Sequence, residues 1–229
     1  MKLANRIINF ILYLGMIPIF GIGLYALGDA FAVSQSASVG DDLAELANHD
    51  DDEVFIEIER DSRYVIAWLS IEGTNINYPV VQGEDNAYFL NRNYKGEYAT
   101  AGSLFLDYRN DKDFGDVFSI IYGHRMGNGE MFSDIHKFKN ADFLNAHRMG
   151  KLKLRGRSYN LEILTYAEIK ADDWSIYNVE KSRTNKEVIN KIVGDDSLEV
   201  VGEERYVLLS TCDGARKKIR NVLLAKLLI

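Results

Sequence analysis

Tyr206-Val207-Leu208-Leu209-Ser210-Thr211-Cys212 reads as a hydrophobic strand that ends on the only cysteine of the chain. Upstream, Phe118-Ser119-Ile120-Ile121-Tyr122-Gly123-His124 is a second apolar strand, and it ends on a histidine. Arg220 follows Cys212 by eight residues and directly precedes a third apolar run, Val222–Leu228. Three strand ends therefore offer a thiol, an imidazole and a guanidinium.

Taken singly, each has a plainer explanation. A free cysteine usually behaves as a small buried hydrophobe. Arg220 belongs to a basic group with Arg216, Lys217 and Lys218, which would ordinarily be a solvated face or a charged strand edge. His49, His136 and His147 lie in acidic or amphipathic stretches, whereas His124 closes an apolar strand. The combination is what carries chemistry. A thiolate is the attacking species, and a thiol of pKa about 8.5 needs a partner that takes or supplies its proton. Attack on a peptide carbonyl creates an oxyanion, and a fixed cation beside it lowers the barrier by roughly 3–4 kcal/mol. Arginine suits that place because it stays charged when desolvated and presents its donors in a rigid fork.

From Tyr64 onward the pattern is mainly β. Val65–Ile71, Ile76–Val81, Ser103–Asp107, Val117–Tyr122, Lys151–Leu154, Tyr159–Ala167, Arg205–Thr211 and Ile219–Leu228 are short apolar or alternating runs between turn residues. Eight such runs suit a closed barrel. Asp85–Asn91, Met131–Phe138, Ala141–His147 and Thr184–Val193 read as inserted helices, and Asn128-Gly129 as a tight turn.

With these residues in view, the chain resembles the sortases, membrane-anchored cysteine transpeptidases of Gram-positive bacteria. The carriers are Ile76-Asn77-Tyr78-Pro79-Val80-Val81-Gln82-Gly83, Gly102-Ser103-Leu104-Phe105-Leu106-Asp107, Tyr122-Gly123-His124, Leu209-Ser210-Thr211-Cys212, and Arg220 followed by Val222-Leu223-Leu224-Ala225. The helix-like insert before the Cys212 strand and the extension ahead of the barrel are most like class B. The resemblance implies a closed eight-stranded β-barrel with inserted helices and an N-terminal helical extension, preceded by one transmembrane helix. It implies Cys212 as nucleophile, His124 as general acid/base and Arg220 as substrate and oxyanion ligand, with Arg216 the competing arginine. By position in the class B pattern, Asn86, Leu90, Tyr122, Ser210 and Asp213 are substrate contacts. Trp174 and Ile176, in the aromatic-rich stretch Trp174-Ser175-Ile176-Tyr177, belong either to the peptide-holding wall or to a satellite hydrophobic cluster beneath a long loop.

The N-terminus carries the targeting signal. After Lys2 and Arg6, residues 7–28 contain no charge, long enough against the ~20 residues that a helix needs to cross hydrocarbon. Cations precede the segment, and Asp29, Asp41 and Asp42 follow it, so the positive-inside rule puts the catalytic part outside the cell. A cleaved signal peptide is the alternative, with Ala30-Phe31-Ala32 resembling a cleavage site. The expected organisation is a cytoplasmic stretch 1–6, a membrane anchor 7–28, a linker and helical extension 29–63, and the catalytic barrel 64–229. Within the extension, Ser34, Ser36, Ser38 and Gly40 suggest a tether, and ten carboxylates between Asp41 and Asp61 face one arginine, Arg60, as solvated runs do. Leu43, Leu46 and Ala47 have the spacing of a short amphipathic helix. A calcium site on Asp50 to Glu53 is disfavoured, because consecutive carboxylates cannot all face one ion.

Composition narrows the partners. At 229 residues and 47% apolar content the chain can bury one sizeable core, and a net charge of −7 argues against nucleic acid. No set of Cys, His and carboxylates stands at zinc spacing, and neither metal nor organic cofactor is expected. The expected partners are surface proteins bearing a C-terminal sorting signal, with an amine of a peptidoglycan precursor or of a pilin lysine as acceptor. A papain-like protease would have its Cys ahead of its His, the reverse of the order here. An L,D-transpeptidase would carry its His and Cys close together. A silent, membrane-tethered binding module is the non-enzyme alternative.

Overall fold

A computed structural model describes residues 2–37, 43, 45, 47, 53–127, 129–182, 187–194, 204–212 and 218–228. Much of the acidic stretch, the first residue of the expected Asn128-Gly129 turn, and both Asp213 and Arg216 lie outside the described residues. The chain divides into two compact units, Met1–Gln35 and Ser36–Ile229.

Helix α1, Lys2–Ala37, spans the first unit, and its stretch Asn9–Phe31 has a mean hydropathy of 2.1. At 1.5 Å per residue that stretch spans roughly 34 Å, enough to cross a bilayer core. Pro18 lies inside the helix.

The second unit opens with helix α2, Glu53–Asp61, whose Val54, Phe55 and Ile58 are buried against Trp68, Val81, Phe89 and Phe105. Ala47 joins the same cluster, and its amide bonds the Leu43 carbonyl one helical turn back. The extension thus packs by an apolar stripe at i, i+1 and i+4, despite its acidic composition.

Eight strands follow: β1 Val65–Ile71, β2 Asn77–Val81, β3 Leu104–Leu106, β4 Phe118–Gly123, β5 Met149–Leu154, β6 Arg157–Lys170, β7 Arg205–Cys212 and β8 Ile219–Leu228. They close into a barrel in the order β1-β2-β3-β4-β7-β8-β6-β5. β2–β3 and β4–β7 pair in parallel and the other neighbours antiparallel. A two-residue turn, Arg155-Gly156, joins β5 to β6, and Gly156 takes the positive φ of 74° that such a hairpin favours.

The alternation along β7 explains its continuous apolar run. Val207 and Leu209 enter the barrel core with Ile121 and Leu223. Tyr206 and Leu208 enter a second core with Ile120 and Leu224, covered by α4 Trp174–Tyr177, α5 Val179–Ser182 and α6 Glu187–Val193. A strand buried on both faces has no polar side to show.

Two of the expected helices are shorter and tighter. Asp85 accepts from the amides of Ala87 and Tyr88, each at 2.8 Å, and this turn leaves only a 3₁₀ segment, Tyr88–Asn91. Met131 takes a positive φ of 54° and bridges Arg125, so no helix starts there and a 3₁₀ helix runs Ser133–Lys139 instead. Helix α3, Ala141–Ala146, is capped by the Asn140 side chain.

Candidate active site

β4, β7 and β8 are adjacent in the barrel, and their registers bring the three expected catalytic positions to one line. In the parallel pair β4–β7, Gly123 stands beside Thr211, so the next residues along each strand are His124 and Cys212. In the antiparallel pair β7–β8, Cys212 stands opposite Arg220. Directly opposed residues of an antiparallel pair have Cα atoms about 4.5–5.5 Å apart. The thiol-bearing residue therefore lies between the other two on the backbone.

His124 is half-buried. Its Nε2 lies 2.7 Å from the Leu90 carbonyl oxygen; a carbonyl only accepts, so Nε2 carries a proton in this arrangement. The His124 carbonyl in turn accepts from the Phe132 amide at 3.0 Å. Gly123 is hemmed in, since an added Cβ would come within 2.4 Å of Leu104 and 2.7 Å of Phe132.

The Arg220 guanidinium lies 6.0 Å from the ring centre of Tyr122 and 5.7 Å from that of Tyr177, within cation–π range of both. The two rings stack, with centres 6.4 Å apart and planes at 27°. Below them Asp107 is fully buried. Its Oδ1 accepts from Arg109 Nε at 2.8 Å and the Arg109 amide at 3.1 Å, and its Oδ2 accepts from Arg109 Nη2 at 2.8 Å, Asn86 Nδ2 at 2.7 Å and the Tyr122 hydroxyl at 3.2 Å. Burial alone would raise the pKa of this carboxyl, but the bonds from Arg109 and Asn86 hold it below its ordinary value. The same setting raises the Tyr122 phenol, through burial first and then the neighbouring Asp107 charge, so Tyr122 stays a neutral donor.

Above the buried Asp107, the residues Asn86, Arg109, Tyr122 and Tyr177 line a cleft of about 650 Å³ whose walls also include Leu90, Phe105, Gly123, His124, Trp174 and Arg220. The structure brings Asn86, Leu90, Tyr122 and Trp174 of the expected substrate contacts into this wall. Trp174 is 72% exposed at its rim, while Ile176 from the same stretch is 1% exposed and belongs to the second core. The cluster explanation fits Ile176, because a short helix sends residues two apart to different faces. Ser210 is buried and its hydroxyl meets the Tyr177 hydroxyl at 3.1 Å. Arg109 and Tyr177 also line the cleft. Arg109 is legible in hindsight as a cation two residues after Asp107, close enough for a local fork.

A family model described as Sortase domain matches residues 69–228. Over 178 residues the chain is 37% identical to Sortase B of Listeria monocytogenes, covering 75% of this chain and 72% of that protein. Among solved structures it is similar to Spy0129, a Streptococcus pyogenes class B sortase involved in pilus biogenesis, with a TM-score of 0.69 and 31% identity over 76% of this chain and 97% of that one. Sortase B of Clostridium perfringens gives a TM-score of 0.67 and 29% identity over 76% of this chain and 100% of that one.

Proposed function

The chain belongs to the sortase family, as a class B cysteine transpeptidase, and on that premise we propose that Cys212, His124 and Arg220 carry an acyl transfer from a C-terminal sorting motif to an amine. The observation that carries this reading is the register of β4, β7 and β8, in which Cys212 stands opposite Arg220 and follows Thr211, the partner of the Gly123 that precedes His124; His124 and Arg220 both line the cleft.

In the first half-reaction the Cys212 thiolate attacks the carbonyl carbon of a Thr in the motif. A C–S bond forms, and the oxygen takes the charge. Arg220 meets that oxyanion, which counts most in a site shielded from water. Collapse of the tetrahedral intermediate breaks the C–N bond, and His124 gives its proton to the departing amine. In the second half, an acceptor amine attacks the thioester, His124 takes the amine's proton, and the C–S bond breaks to release the thiolate. The place of His124 in the cleft wall supports the acid role, since its imidazole lies where the leaving amine would depart. Asn86, Leu90, Tyr122 and Trp174 are proposed to hold the peptide, as is Asp213; the buried Ser210 and Ile176 would act from behind the wall by supporting Tyr177.

The acceptor is read as an amine of the cell-wall precursor. A pilin lysine is the second reading, favoured by the resemblance to the Streptococcus pyogenes enzyme named for pilus biogenesis. Helix α1 is proposed to anchor the chain in the cell membrane with residues 1–6 inside and 64–229 outside, followed by the tether and helical extension 29–63. Membrane fractions washed with carbonate should retain the intact chain; a soluble product starting near Val33 would replace the anchor by a cleaved signal.

The test incubates the chain with a panel of sorting-motif peptides and several amines, with products identified by mass and Cys212→Ala as control. Cleavage after Thr with amine-linked product is expected, and only with Cys212 present. Product formed equally by Cys212→Ala would overturn the reading, and absence of product from every pair would favour a silent binding module.

A further inference from the structure

The buried Asp107 carboxylate takes no part in the steps above, yet the side chains it grips belong to the cleft wall. Burying a carboxylate is costly unless it is paired, and the Arg109 fork meets that need. A purely structural ion pair would require nothing more. Here Asp107 also accepts a hydrogen bond from Asn86 and another from Tyr122, which come from separate segments of the chain. Arg109 extends the grip, its Nη2 also donating to the Tyr177 carbonyl at 3.2 Å.

Two consequences reach the substrate side. The Asn86 amide is fixed at both ends, Nδ2 donating to Asp107 and Oδ1 accepting from the Tyr108 amide at 3.1 Å. That sets which way it faces and leaves one N–H for the cleft. Tyr122 and Tyr177, held from below, form the aromatic bed beside which the Arg220 guanidinium lies. A bidentate carboxylate–arginine pair is a stiff support for such a bed.

We propose that Asp107 is a positioning residue for the transfer reaction: one buried carboxylate orients the Asn86 amide and, through Tyr122 and the Arg109–Tyr177 link, the aromatic bed beside Arg220. This role rests on the reading of the cleft as the peptide site. Asp107 touches no reacting atom, and its effect falls on peptide capture and acyl transfer rather than on the thiol itself.

The test uses the full chain in detergent with Asp107→Asn, Arg109→Lys, Asn86→Ala and the Asp107→Asn/Asn86→Ala double variant. Two rates are measured: acylation of Cys212 by an intact motif peptide that the chain cleaves, over a range of concentrations, and alkylation of Cys212 by iodoacetamide, which needs no peptide contacts. Asp107→Asn and Arg109→Lys are expected to lower kcat/KM for acylation about 10- to 100-fold, the scale of a misplacement near 1 Å. Alkylation should stay within about two-fold of the unsubstituted chain. Asn86→Ala should cost less in the Asp107→Asn background than alone, as for residues that act through one another. Undiminished acylation, an equal cost of Asn86→Ala in both backgrounds, or acylation and alkylation falling together in both single variants would overturn the role, the last making Asp107 a structural anchor only. Failure of the unsubstituted chain to acylate with any peptide would instead sink the transfer reading, and this role with it.

Discussion

Cys212 at the end of β7 stands directly opposite Arg220 near the start of β8 in an antiparallel register. The pairing is held by the strands behind it, from Thr211↔Asn221 back to Arg205↔Leu227, so the separation of the two positions is set by the barrel and not by the connecting loop. A preorganised cation costs no reorganisation when the oxyanion forms.

Arg220→Ala should therefore lower kcat about 10²- to 10³-fold, or roughly 3–4 kcal/mol of barrier, with the fold intact. Arg220→Lys should recover little, because a point charge does not replace the planar fork over Tyr122 and Tyr177. Steady-state kinetics beside a circular dichroism melt would check both, and near-normal turnover in Arg220→Ala would remove Arg220 from the oxyanion role.

Gly102 reaches the site through the backbone. Its φ is +61°, and an added Cβ would sit 2.6 Å from the Leu90 carbonyl oxygen, the acceptor for His124 Nε2. Gly102→Ala should cost about 1–3 kcal/mol of stability from the left-handed backbone and the clash. It should also displace the imidazole, which nitrogen NMR of the His124 ring would report as a changed Nε2 signal. An unchanged ring signal would mean that the Leu90 carbonyl does not hold His124.

Much of this was legible in the sequence because the decisive strands are buried on one or both faces. β1 and β8 fall on the expected residues, and the barrel closes as expected, since apolar runs of that length have few other uses. The helices expected over Asp85–Asn91 and Met131–Phe138 are present only as shorter 3₁₀ segments because local rules won: an Asp85 side-chain turn in one, and the positive φ of Met131 in the other. A helical extension was expected within 29–63, but helix α2 itself was not placed there amid the carboxylates, although Val54, Phe55 and Ile58 carried its stripe. Arg109 was missed because its importance lies in side-chain bonds, a fork onto Asp107 two residues back and a long-range donation to the Tyr177 carbonyl, which no periodicity records.

Acid should act through Asp107. Its carboxyl titrates below an ordinary value of 3.8 in the folded chain, so the stability it lends is fully present above about pH 4 and is lost as pH falls through the lower folded value. Urea midpoints measured from pH 6 to pH 2 should fall more steeply for the unsubstituted chain than for Asp107→Asn at the acid end. Parallel curves would show that Asp107 contributes no pH-linked stability.

Leu209 is fully buried in the barrel core, three residues before Cys212. Leu209→Ala should cost about 2–5 kcal/mol, by lost transfer energy and the cavity left behind. Equilibrium urea unfolding would measure it, and a loss under about 1 kcal/mol would mean that this strand is less tightly packed than described.

The most direct test of the central claim is the intact mass of the chain quenched in acid after brief mixing with an intact motif peptide that it cleaves, followed by mapping of the modified residue. The account predicts a mass gain equal to the acyl fragment ending in Thr, located on Cys212, lost on adding hydroxylamine, and accumulating poorly in Arg220→Ala. Turnover of the peptide with no acyl adduct at Cys212 under any quench time, or an adduct on another residue, would contradict it.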